Sequence, residues 1–196
     1  MKLKILALII AVLLLGSCNA LENDSTSGSR LQIISITGND MDGKAGSTTV
    51  FSDVLTGTGS IFNDNGVALV EADPLDPSLV KITTSPYMDV LVDQIDVEFR
   101  RTDGRNVEGV DVPYRFTQPM SVLVRITGNS EISFVLIRHV AKMEAPLFQL
   151  RYVNSQEYVL QLVAVVTIHG TDGAGNRVAP VTGYVNVWCA DFADEE

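Results

Sequence analysis

The chain is poor in the residues that carry most chemistry. Its 196 residues include two cysteines (Cys18 and Cys189), two histidines (His139 and His169) and one tryptophan, Trp188. The histidines lack the H-x-x-x-H or H-E-x-x-H spacing that places two zinc ligands together. No G-x-S-x-G nucleophile elbow occurs. Positive charge is also scarce: 14 Lys and Arg stand against 24 Asp and Glu, a net of −10. A nucleic-acid footprint needs a basic patch, and docking on anionic lipid needs a basic face, so both are disfavoured. Acidity here reads as a solubility feature. The N-terminal apolar run, Ile5–Leu15, is about eleven residues long. A bilayer-spanning helix needs roughly 20.

What is present begins with that run. Lys2 and Lys4 precede it, and the small Ser17 follows it just before Cys18. A positive n-region, an apolar h-region and a small-residue cleavage site are the three parts of a secretory signal. Leu15-Gly16-Ser17-Cys18 resembles the bacterial lipobox. The resemblance implies a diacylglycerol on the Cys18 thiol, cleavage before Cys18 and acylation of the new amine. Leu15, Gly16 and Ser17 are then the signal-peptidase recognition residues. Two or three acyl chains hold firmly where one binds only marginally. Asn19, rather than Asp, after the cysteine implies the outer membrane in a Gram-negative cell. Removing residues 1–17 takes away Lys2 and Lys4 and no acid, so the net of −10 becomes −12. The bilayer is thus the first expected partner, reached through covalent lipid rather than charge, and no other cofactor is expected. With Cys18 as a thioether, Cys189 has no intrachain partner, and the exported chain is disulfide-free.

Residues 18–30 are Ser-, Thr-, Gly- and Asn-rich, which reads as a flexible lipidated tether. Residues 31–196 read as one domain, large enough to bury a core without disulfides. Strands are expected at Leu31–Thr37, Thr48–Leu55, Val67–Ala72, Leu79–Ile82, Gln94–Arg101, Val110–Phe116, Met120–Thr127, Ile132–Met143, Tyr158–His169 and Gly183–Phe192. Ile95, Val97 and Phe99 alternate with Asp96, Glu98 and Arg100, the period of a half-buried strand. Asn65-Gly66 reads as a hairpin turn, and Asp103-Gly104 supplies a turn after the strand ending at Arg101. Pro113 marks an edge or bulged strand. Ile132–Met143 and Tyr158–His169, apolar on both parities, read as central strands covered on both faces or as strands crossing a sandwich core, and the Val, Ile and Phe content of 132–143 argues against a helix there. About ten short strands without an amphipathic helix predict an all-β fold: an immunoglobulin-like antiparallel β-sandwich lacking the inter-sheet disulfide of antibody domains.

Candidate chemistry is thin. Cys189 shares parity with Val185 and Val187, so it reads as a buried inert thiol rather than a nucleophile. Trp188 shares parity with Asn186, which leaves a core or an outward placement open. Asp40, Asp42 and Asp64 stand in Asn/Asp/Gly stretches that offer hard oxygen ligands for calcium. Neither stretch fits the EF-hand pattern, and the same residues make ordinary turns, so no metal site is assigned. Gly170–Val178 reads as a hairpin loop, not a phosphate cradle, because it leads toward a strand.

Arg100–Phe116 (RRTDGRNVEGVDVPYRF) and the segments HGTDGAGNRV and VWCADFAD within His169–Asp194 look similar to passages in uncharacterised bacterial lipoproteins. That resemblance implies no mechanism. The expectation is a non-enzymatic, lipid-anchored module of the cell envelope that binds an envelope protein or glycan, or acts as a structural spacer. A calcium-stabilised adhesion or carbohydrate-binding module is the alternative. A cell-envelope hydrolase is the third reading, and no residue pair points to it.

Overall fold

The computed structural model describes residues 27–39, 45–76, 85–153 and 158–192. The signal with Cys18, most of the tether, Asp40, Asp42 and the expected strand at Leu79–Ile82 lie outside the described residues. Nine strands are described: β1 (Ser29–Asn39), β2 (Ala45–Ser47), β3 (Thr49–Asp53), β4 (Asp64–Pro74), β5 (Val90–Arg100), β6 (Phe116–Val124), β7 (Gly128–Ile137), β8 (Leu160–Asp172) and β9 (Arg177–Ala190). Among the described residues, helical structure is limited to 3-10 turns at Pro86–Met88 and Ala141–Met143 and one α-turn, Leu147–Leu150.

Two sheets form, in the order β2-β1-β4-β7 and β3-β9-β8-β5-β6. They enclose one core that includes Val70, Ile132 and Phe134 of the first sheet and Ile95, Val97, Ile168 and Val187 of the second. The chain is therefore an all-β sandwich. Equating β1, β4 and β7 with strands A, B and E, and β5, β6, β8 and β9 with C, C′, F and G, reproduces immunoglobulin-like strand order. Among the described strands, every ladder is antiparallel except one: β3 runs parallel to β9, Thr49 opposite Asn186 through Asp53 opposite Ala190. The sandwich is mixed rather than wholly antiparallel.

Register shifts set which side chains reach the core, and three of them show how. In β1, Leu31 and Ile33 face inward, the register shifts between Ile33 and Ser35, and Ile36 then takes the inner face while Ile34 is exposed. In β5 the shift falls between Val92 and Gln94, so Val90 and Val92 share the inner face with Ile95, Val97 and Phe99 despite opposite parity. In β9 one extra residue is accommodated near Pro180, between Val178 and Val181. An inserted residue reverses the alternation of every residue beyond it. Proline is tolerated at such a bulge because a ladder donor is already lost.

Several expected elements are corrected. Residues 110–115 form no strand; Pro113 is buried inside an irregular loop, and the edge strand is β6, which carries Pro119. Asn65-Gly66 is no turn: both residues lie within β4, opposite Val135 and Phe134 of β7. Gly66 is required there because a Cβ would sit 2.7 Å from the Phe134 ring. β7 is an edge strand rather than a central one, and the chain leaves it after Ile137. Tyr158–His169 does become the central β8. The tether ends earlier than Arg30. Ser27 and Ser29 are buried, their hydroxyls donating to Asp172 Oδ2 (2.8 Å) and to the Met88 carbonyl (2.7 Å).

One side chain seals the seam between the sheets. Gln118 of β6 donates its amide to the Val135 carbonyl (2.7 Å) and accepts from the Val135 N–H (2.9 Å). It thereby pairs one residue of the β7 edge as a neighbouring strand would. Buried or edge backbone groups need such partners.

Candidate functional site

The outer face of the five-stranded sheet collects several polar and charged side chains. Strand register brings them together. Gln94 lies opposite His169, Asp96 opposite Thr167 and, on its other side, Thr117. The Asp96 carboxylate accepts from Thr117 Oγ1 at 2.7 Å and Gln94 Nε2 at 3.0 Å, and its Oδ2 lies 2.9 Å from His169 Nε2. Partial burial opposes ionisation of Asp96. The hydrogen bonds from Thr117, Gln94 and His169 outweigh it and hold the carboxyl below its usual range. Thr167 and Thr182 share a hydroxyl hydrogen bond of 3.1 Å on the adjoining ladder.

A concavity of about 530 Å³ opens over these groups, lined among others by Asp96, Glu98, Arg115, Phe116, Thr117 and His169. A smaller one of about 280 Å³ continues past Phe116 and Thr117 to Arg138 and His139. The Arg138 guanidinium stacks 4.4 Å above the Phe116 ring, which forms the ridge between them. Val165 lines the first concavity, and opposite it on β9 stands Tyr184, 65% exposed. Further along the same face, Trp188 meets Phe51 edge to face at 5.5 Å between ring centres. Trp188 thus faces outward, as its parity with Asn186 allowed.

The residues singled out from sequence do not converge here. Cys189 is fully buried, and burial, with Asp64 adding to it, pushes its thiol up to about 12. A thiol held neutral in the core is no nucleophile. His139 turns to Asn63, whose Oδ1 accepts from the His139 backbone N–H (2.6 Å) and lies 3.0 Å from its Nδ1. Asp64 belongs to β4, not to a turn, and its Oδ1 receives Lys142 Nζ at 2.8 Å. A calcium ion there would have to displace that ammonium. Among the described residues, no three His, Cys, Asp or Glu side chains group as a metal would require. His169 and Asp96 form a pair without a third member: the hydroxyl in the group, Thr117, donates to Asp96 and not to the imidazole. The sequence reading missed Asp96, Tyr184 and Lys142. Only the register reveals that Asp96 and His169, 73 residues apart, are neighbours.

The glycine-rich stretch is occupied by its own carboxylate. The turn proper spans Asp172–Asn176, and Gly170 belongs to β8. Asp172 Oδ1 accepts from the N–H groups of Ala174 (3.0 Å) and Asn176 (2.9 Å), the donors a phosphate would use. Its Oδ2 accepts from Ser27 and, at 3.2 Å, from Asn176 Nδ2. Burial disfavours the charge, but these hydrogen bonds win and lower the Asp172 pKa from 3.8. A carboxyl depressed by folding contributes stability that is complete above its unfolded value and is lost as pH falls through the folded one. We expect Asp172→Asn to cost roughly 1–2 kcal/mol at neutral pH. It should also flatten the decline of stability below the unfolded value of 3.8, because the proton-linked part is gone. Urea melts of both chains between neutral and acid pH check this. An unchanged acid slope would show that Asp172 is not ionised in the fold.

No protein-family model matches the chain, and no curated protein matches it.

Proposed function

We propose that the chain is a non-catalytic binding module of the cell envelope, held there by lipid on Cys18, and that it binds saccharide on the outer face of its five-stranded sheet. The observation that carries the reading is the pairing of exposed aromatic surface with a polar concavity on one face, Tyr184 standing across Val165 from Asp96, Thr117 and His169. A sugar ring has an apolar C–H face and a rim of hydroxyls. An exposed tyrosine covers the first at low entropy cost, and carboxylate, hydroxyl and imidazole groups serve the second. Charge in the concavity is mixed, Asp96 and Glu98 against Arg115, which suits a neutral polyhydroxyl ligand. The buried Cys189 and the His169–Asp96 pair without a nucleophile support a non-catalytic role. The calcium-stabilised variant of this reading rests on Asp40 and Asp42, outside the described residues.

Two experiments test it. A glycan array probed with the chain, followed by calorimetry on any hit, should show binding that Tyr184→Ala weakens about tenfold or more, the loss of roughly 1.4 kcal/mol. The melting temperature should hold, since Tyr184 lies outside the core. A blank array, or binding indifferent to Tyr184→Ala, defeats the saccharide reading. Membrane fractionation of the native protein beside Cys18→Ala tests the anchor: wild type in the membrane fraction and variant in the soluble one is the expected pattern, and equal distribution overturns it.

A further inference from the structure

The least expected group in the sandwich is a lysine. Lys142 is 2% exposed, carried into the interior by the 3-10 turn Ala141–Met143 between β7 and β8. Its Nζ donates to the Asp53 carbonyl of β3 and to Asp64 Oδ1 of β4, each at 2.8 Å. An ion pair out of water loses several kcal/mol per ion in hydration, and persists only where geometry and hydrogen bonding are complete. Here they are not. Asp64 Oδ2 and the Ser52 hydroxyl make no hydrogen bond of good geometry, although Ser52 lies close enough to Asp64 to help pull its pKa down. Ser52 lies opposite Cys189, whose neutral thiol belongs to the same polar enclave.

We propose that Lys142 and Asp64 join covalently, the lysine nitrogen forming an amide with the aspartate side-chain carbon. The atoms balance without a co-reactant. Ammonium and carboxylate become an amide and one water: the nitrogen gives up two protons, the carboxylate gives up one oxygen, a C–N bond forms and a C–O bond breaks. The nitrogen is already held against the carboxylate, so the translational entropy of a bimolecular reaction has been removed. Amide formation needs the lysine nitrogen as a free amine, so its proton must pass to the carboxylate it already touches. Burial raises the Asp64 pKa although the Lys142 charge and the hydrogen bonds of Lys142 and Ser52 pull it down, which is the direction this proton transfer needs. Asp64 keeps 19% of its side chain exposed, which provides the exit for water. The product removes both buried charges. It also ties β4 of one sheet to a segment anchored on β3 of the other, a staple for an exported chain with no described disulfide.

The test needs no ligand and does not depend on the proposed function. Complete tryptic digestion of the denatured full chain should yield residues 45–81 and 139–151 as a single branched peptide, lighter than their sum by one water and uncut after Lys142. Fragmentation should place the link between Lys142 and Asp64. Lys142→Arg, which keeps the cation but not the amine, should release the two segments separately. Digestion after denaturation reads the bond even in a variant that folds poorly. Recovery of unlinked 45–81 from the wild-type chain, with cleavage after Lys142, overturns the proposal and leaves a buried ion pair.

Discussion

Asp64→Ala should destabilise the fold by about 3–5 kcal/mol, the cost of removing one partner of a buried pair. Lys142 is 2% exposed and its Nζ has two acceptors, the Asp53 carbonyl and Asp64 Oδ1. Alanine leaves the ammonium with one neutral acceptor in a site too dry to solvate it. The loss is expected for the ion pair and for the amide, since alanine supplies neither counter-charge nor a carbonyl to link. The double variant Asp64→Leu/Lys142→Met should recover most of it, because apolar side chains of similar volume carry no desolvation cost. Denaturant melts of the wild type, Asp64→Ala and the double variant measure it. A single-variant loss under about 1 kcal/mol would mean that the pair behaves like a surface salt bridge.

Gly170→Val should cost roughly 3 kcal/mol, at the upper end of what overpacking takes. Gly170 lies within β8 beside bulges in both neighbouring strands, where the β5 register shifts between Val92 and Gln94 and the β9 register between Val178 and Val181. A Cβ at this position would stand 2.7 Å from the Leu91 carbonyl oxygen and 3.0 Å from Val90 Cγ1. The first contact is backbone, so it cannot be relieved by turning a side chain. The ladder between β5 and β8 must open instead, at the centre of the sheet whose outer face holds Asp96 and His169. Thermal melts should show the loss, and hydrogen exchange should be fastest near Leu91 and Val92. Gly175→Ala is the control. Its backbone φ of 88° strains any side chain, but a Cβ meets nothing, so the effect should stay near 1 kcal/mol. Equal losses at the two positions would show that backbone conformation, not the close approach, governs Gly170.

The sequence by itself determined the class of the fold, the inward parity of Cys189 beside Val185 and Val187, and the inner set Ile95, Val97 and Phe99. These are local properties: alternation over a few residues and β-branched composition suffice to state them. The turn at Asp103-Gly104 was legible for the same reason, and Gly104 does take a positive φ, 82°. Register and strand order were not local. The parallel seating of β3 on β9, the extra residues that return Val90 and Val92 to the core side, and the placement of Gly66 and Gly170 inside strands all follow from how two inner faces pack. One inserted residue reverses a parity argument, so sequence reading began β5 at Gln94, past the bulge, and missed Val90 and Val92. The candidate surface was less legible still. Asp96 reads as one more solvent-facing acid until strand pairing sets His169 and Thr117 beside it. Lys142 reads as a charge ending an apolar run, until the turn after β7 carries it to Asp64, 78 residues back. Long-range neighbours of this kind are chosen by topology, which no stretch of the chain contains by itself.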